Sequence, residues 1–186
     1  MPPQLPQQED YHPPNYYYSK GMRKAIGKLT AADYEAVVSG IWNGILSSVF
    51  DIEDGYLVRP EQATQGGFAD LLVIDNGPGN VEDREYHFLV VQCKRMAKEG
   101  SGATWEEARN QLRDYLPSLK PRNRQHRVYG VVAIGRWVEA FEFDHIAAAN
   151  NQDPLVPAFG YTGKLHIARQ CTTIGHVLTK IRQRHT

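Results

Sequence analysis

Cysteine is nearly absent from this chain. Cys93 and Cys171 are the only two in 186 residues, too few for a disulfide framework or a cysteine-built zinc site. The expectation is a reduced, intracellular protein of the cytoplasm or nucleus. No apolar run approaches the roughly 20 residues of a membrane span. The first residues also lack a basic-then-apolar signal pattern, so neither membrane insertion nor secretion is expected. The seven histidines show no H-E-x-x-H spacing, and Gly77-Pro78-Gly79 reads as a turn rather than a phosphate-binding loop. No dinucleotide fingerprint and no Ser- or Cys-centred nucleophile arrangement is present. Net charge is absent as well, with 21 Lys/Arg against 21 Asp/Glu. The balance is uneven along the chain: residues 1–93 hold 6 Lys/Arg and 13 Asp/Glu, and residues 94–186 hold 15 and 8. Such a split can give one face to cations and another to polyanions, although charge scattered over the surface gives the same counts.

What is present is ordinary for a globular chain, with 41% hydrophobic and 23% charged residues. Residues 1–18 are rich in Pro, Gln and Tyr and read as a disordered or loosely docked arm. Residues 19–186 read as one domain. Thr30, with Asp33 three residues on, resembles a capping box. Tyr34, Val37, Val38, Ile41, Trp42, Ile45, Leu46 and Val49 then recur at helical spacing as a core stripe, with Glu35 at its margin. Strands are expected over 56–59, 68–74 and 86–94. Turn residues over 75–80 join the last two as a hairpin, and Gly66-Gly67 supplies a kink or a close approach. A second helix starts near Thr104, with Glu107 completing a capping box, and buries Trp105, Ala108, Leu112 and Leu116 before Pro117. A basic loop over 120–127 precedes strands at 128–134 and 137–143. A short strand at 163–168 and a helix over 172–184 close the chain. The order implies an α/β sandwich, in which helices flank a central mixed β-sheet.

One constellation stands out. Asp70 lies inside the apolar run Phe68-Ala69-Asp70-Leu71-Leu72-Val73-Ile74, and Gln92 and Lys94 end the run Phe88-Leu89-Val90-Val91-Gln92-Cys93-Lys94. Buried strands have little structural use for such groups, which need partners. Alternation puts Gln92 and Lys94 on one face, about 7 Å apart, and an adjacent strand brings Asp70 to them. A carboxylate, an amide oxygen, a main-chain carbonyl and waters suit Mg²⁺. A lysine beside that ion suits in-line attack on a phosphodiester. A buried polar cluster whose lysine reaches solvent would have the same spacing.

Asp70 followed by Gln92-Cys93-Lys94 on the next strand resembles the PD-(D/E)XK nuclease superfamily, whose restriction-endonuclease-like core runs αβββαβ. Gln111-Leu112-Arg113-Asp114-Tyr115 is similar to the Q-x-x-x-Y motif of RecB-type nucleases and type I restriction subunits. The G-x-x-D spacing of Gly67 to Asp70 is similar to the restriction-subunit form. The resemblance covers roughly residues 30–135. It implies Asp70 as the main metal carboxylate, Gln92 at the position usually held by Glu, the Cys93 backbone carbonyl as a further ligand, and Lys94 as the catalytic lysine. It implies Glu35 as an additional acid at the metal, and Gln111 and Tyr115 as supports for phosphates or for Lys94. Two positions depart from the pattern. Gln92 removes a negative charge and should weaken the hold on Mg²⁺, and Ala69 stands where the family has Pro.

The expectation is a nuclease dependent on Mg²⁺ or Mn²⁺ that acts on nucleic acid, foremost DNA. Lys94, Arg95, Lys98, Arg109, Arg113 and the 120–127 loop would follow phosphates. The competing readings are a catalytically weakened domain of the same fold that binds nucleic acid or a protein partner, and an interaction module oligomerising through its Tyr-rich arm. A homodimer is compatible with all three.

Overall fold

The computed structural model describes residues 4–64, 67–76, 85–122 and 127–185. Gly66, the expected turn residues 77–80 and positions 123–126 of the basic loop lie outside them. The core sheet begins with three long antiparallel strands, β1 (Tyr56–Thr64), β2 (Gly67–Asp75) and β3 (Tyr86–Lys94). Pro60 is tolerated within β1 because that strand is the sheet's edge and pairs with β2 alone. The step from β3 to β4 (Tyr129–Ile134) is parallel. A parallel step needs a helical crossover, which α3 (Gly102–Tyr115) supplies. β5 (Trp137–Phe143) returns antiparallel, and β6 (Leu155–Pro157) and β7 (Leu165–His166) pair with its two ends. The result is a mixed seven-stranded sheet in the order β1-β2-β3-β4-β5-β6, with β7 beside β5.

Helices cover both faces, as expected for a restriction-endonuclease-like sandwich. Alternate residues of β3 and β4 divide between two cores. Leu89, Val91, Cys93, Val131 and Ala133 meet α2 (Glu35–Ser47) and α5 (Cys171–His185). Val90, Val132 and Ile134 meet Trp105, Ala108 and Leu112 of α3. Outside α2 lies α1 (Lys20–Lys28), which buries Ile26. A five-residue helix, α4 (His145–Ala149), follows β5. Tyr16 is buried in the α2-side core, and its hydroxyl donates to the Ile167 carbonyl at 2.7 Å. Among the described residues no helix is long and apolar enough to cross a membrane.

Three local expectations are corrected. Helix α2 begins at Glu35 after Tyr34, which forms no side-chain cap. Asp33 instead closes a separate turn, accepting from the Thr30 N–H at 2.6 Å and its hydroxyl at 3.0 Å. Tyr34 and Val37 have the period of the stripe but stay 79% and 41% exposed, Tyr34 because it precedes the helix. The cap of α3 is Ser101, whose Oγ accepts the Thr104 N–H at 3.2 Å, so that helix starts two residues before Thr104.

Candidate active site

The β2–β3 ladder ends at the pair of Leu71 with Val91. One residue beyond, in the same register, Asp70 stands opposite Gln92. There the Asp70 side chain takes over the strand's bonding: its Oδ2 accepts the Cys93 N–H at 2.7 Å. The carboxylate is thereby pinned to β3 at the point where the two strands part. Gln92 follows Val90 on the α3 side of the sheet and is 3% exposed. Its Oε1 is buried with no hydrogen-bond partner among the described residues. An amide oxygen left so typically costs about 1–3 kcal/mol, so it calls for a partner such as a water or an ion.

Lys94 ends β3, and its Nζ lies 3.7 Å from Oε1 of Glu35, the first residue of α2. Burial pushes the Glu35 carboxyl above the usual carboxylate range. Lys94 opposes that rise and the Asp70 charge adds to it. Two acids that sense each other with a lysine between them share one electrostatic space. The thiol of Cys93, facing the other core, is held well above its ordinary value by burial first, then by Asp70 and Glu35. The structure therefore brings Asp70, Gln92, Lys94 and Glu35 to one end of the sheet.

The donor chemistry fits a hard divalent cation. Two carboxylates and an unpartnered amide oxygen match the oxygen ligands of Mg²⁺, which keeps several waters and does not require a closed protein cage. Among the described residues no group of three His, Cys, Asp or Glu side chains could hold a metal. An amide in place of the third carboxylate agrees with that.

The flanking residues sort into two groups. Gln111 of α3 also has a buried Oε1 with no partner, one turn before Tyr115, which is 4% exposed in the α3-side core. Arg95 and Lys98, which follow Lys94, form no ion pair among the described residues. Arg109, by contrast, makes two bonds of 2.9 Å to Glu139 of β5 and another to Glu106. Arg113 is shared by Asp153 and Glu106, and Arg122 pairs with Asp75 at 2.7 Å.

Two supporting residues went unnoticed in the sequence. The main chain closes the end of β3 through a 3.0 Å bond from the Gly135 N–H to the Lys94 carbonyl. Glu99 Oε1 accepts the Arg136 N–H at 2.7 Å, and the Glu99 carbonyl accepts from Trp105 Nε1 at 2.9 Å. Gly135 has φ +57°, and a Cβ there would lie 2.7 Å from Met96 Cα, so the turn admits only glycine without rearrangement. The tie of this turn to a glutamate 37 positions earlier leaves no local signal in the sequence.

A family model of the PD-(D/E)XK nuclease superfamily matches residues 38–138. No curated protein and no solved structure matches the chain. The matched span holds Asp70, Gln92, Lys94, Gln111 and Tyr115, and Glu35 lies just before it. The match is to the superfamily as a whole, with no finer assignment to RecB-type or type I restriction domains. With more than half of its length under that one model, the chain belongs to the PD-(D/E)XK nuclease superfamily.

Proposed function

We propose that this protein is a divalent-metal-dependent nuclease that hydrolyses phosphodiester bonds in DNA. The observation that carries this reading is the unpartnered, buried Oε1 of Gln92 beside a carboxylate pinned to the Cys93 N–H. Asp70, Glu35, Gln92 Oε1 and the Cys93 carbonyl would hold Mg²⁺ or Mn²⁺. The bound ion supplies an activated water and offsets charge on the phosphate oxygens. The Lys94 ammonium orients the attacking water and meets the negative charge that grows on the phosphate as the bond to the leaving oxygen breaks. Glu35 holds Lys94 in place through their 3.7 Å pair, and Gln111 and Tyr115 brace β3 from α3.

The test is cleavage of plasmid and single-stranded DNA with Mg²⁺ or Mn²⁺. Lys94→Ala and Asp70→Ala should each lower the rate by about 10²-fold or more. Gln92→Glu restores a carboxylate at the orphaned position and should lower the Mg²⁺ concentration needed for half-maximal rate. Cleavage that survives both alanine substitutions would end this reading. A second reading, a weakened domain that binds nucleic acid without cutting it, is favoured by the charge missing at Gln92. It predicts salt-sensitive, metal-independent binding by the wild type, and cleavage only in Gln92→Glu.

A further inference from the structure

Many of the arginines, among them most of those expected to follow phosphates, are already neutralised. Arg109, Arg113, Arg122, Arg127, Arg182 and Arg184 each pair with an acid. Among the described residues, four cations without an acidic partner lie together on α1. Its sequence, KGMRKAIGK, has four cations and no acid. Lys20, Arg23, Lys24 and Lys28 are spaced three, four and eight residues from the first, which sets them on one helical face. Opposite them, Ile26 is 1% exposed, and Leu29 just past the helix is 2% exposed. Lys20, Lys24 and Lys28 are solvent-exposed and form no ion pair among the described residues. Among the described residues Arg23 pairs with no acid, and its Nη1 lies 3.4 Å from the Tyr11 hydroxyl.

The C-terminal end of α1 is tied to the end of the sheet that carries the candidate active site. Arg136 Nη2 donates to the Leu29 carbonyl, one residue past Lys28, at 2.6 Å. The neighbouring Gly135 N–H holds the Lys94 carbonyl. On the other side, the turn closed by Thr30 and Asp33 leads from α1 directly to Glu35. Two short covalent and hydrogen-bonded routes therefore fix the basic helix against the end of the sheet that carries Lys94 and Glu35.

We infer that the exposed face of α1 is a docking surface for the phosphate backbone of duplex DNA, leading it to the Lys94 end of the sheet. The inference rests on the nucleic-acid reading of that site but not on catalysis. Lys20, Lys24 and Lys28 rise about 6 Å apart, or about 12 Å in all. With one phosphate per 3.4 Å of each strand, they reach roughly three or four phosphates. An anionic membrane is disfavoured as the partner, because the apolar side that would enter lipid is already buried by the protein.

The experiment measures binding of a fluorescent DNA duplex against salt concentration, without divalent metal. It compares the wild type, the triple variant Lys20→Ala/Lys24→Ala/Lys28→Ala, and a charge-matched control, Lys164→Ala/Arg169→Ala/Lys180→Ala. The α1 variant should bind at least about tenfold more weakly near 100 mM salt, and its log–log salt slope should be shallower by about 2–3. The control should stay within about threefold of the wild type. A wild type that binds no DNA, equal losses in α1 variant and control, or an α1 variant that binds as tightly as the wild type would each overturn the inference. Binding of α1 to phosphatidylserine vesicles with an unchanged DNA salt slope would overturn it as well. A wild type that binds through α1 but cuts no DNA with any metal would keep the docking face and reject the nuclease reading. Cleavage that persists with an undiminished salt slope in the α1 variant would do the reverse.

Discussion

His166, at the end of β7, is 5% exposed, and its Nδ1 accepts the backbone N–H groups of Ala168 and Arg169 at 3.2 and 3.3 Å. Those bonds need an unprotonated nitrogen. Burial foremost, then the charges of Arg136 and Arg169, lower its pKa from the usual 6.5 to about 4. Between those values the unfolded chain takes up a proton that the folded one refuses, so this residue's contribution is complete above about pH 6.5 and fades as pH falls towards 4. The loss should reach roughly 3 kcal/mol. Urea unfolding from pH 7 to 4 should show His166→Gln losing less stability than the wild type over that window, and parallel curves would refute the assignment. The same scale explains why Asp70, Gln92 and Lys94 were legible in the sequence: polar side chains interrupted runs that otherwise read as buried strand. Glu99 was not legible, because an exposed-looking acid in a polar stretch carries no mark of the backbone amide it will meet.

Helix α3 approaches β4 closely over Gly130. A Cβ at that position would lie 2.8 Å from Leu112 Cδ1 and 3.1 Å from Leu116 Cδ1, and both leucines are fully buried. The missing side chain lets the crossover helix settle on the parallel pair β3–β4, which holds the Gln92 face against α3. Gly130→Val should destabilise by about 1–3 kcal/mol through overpacking. Adding Leu112→Ala should cost less than the two single losses together, since the cavity from one change accepts the methyls of the other. Urea titrations of the four-member cycle decide it, and strict additivity would mean that the two positions do not compete for space. Elements of this kind were largely visible beforehand. The buried stripe of α3 and the strands of β3 to β5 follow from period and length. Their ends did not: the cap of α3 passed from Thr104 to Ser101, and α2 began only after Tyr34, which stays exposed.

At the scale of the whole molecule, the last helix is tied to the far end of the sheet from the candidate active site. His185 is fully buried, stacks on Phe88 with ring centroids 3.7 Å apart, and places Nε2 3.0 Å from Asp75 Oδ2, which also pairs with Arg122. The residue 4–18 segment closes over the same helix from its start, where the Thr173 N–H donates to Glu9 at 2.9 Å. His185→Ala removes the ring and a partner of a buried carboxylate. It should destabilise by about 3 kcal/mol, or roughly 6–12 °C in a thermal melt for a chain of this size. Asp75 lies about 16 Å along β2 from Asp70, so DNA cleavage per folded molecule should be unchanged. Loss of cleavage in step with neither stability nor temperature would show a coupling this geometry does not supply.

The residue pattern alone determined the αβββαβ order, the two-sided burial of the central strands and the placement of a carboxylate, an amide and a lysine inside them, because periodicity and misplaced polarity are local properties. Tertiary structure decided which charges remain available. Arg109 and Arg113 look free in the sequence, yet acids far along the chain hold both. The cations of α1 attracted no notice, and among the described residues they stand without acidic partners on a helix whose end is tied to the candidate site. Ion pairing joins residues through space, so sequence spacing carries almost no information about which cations the fold will neutralise.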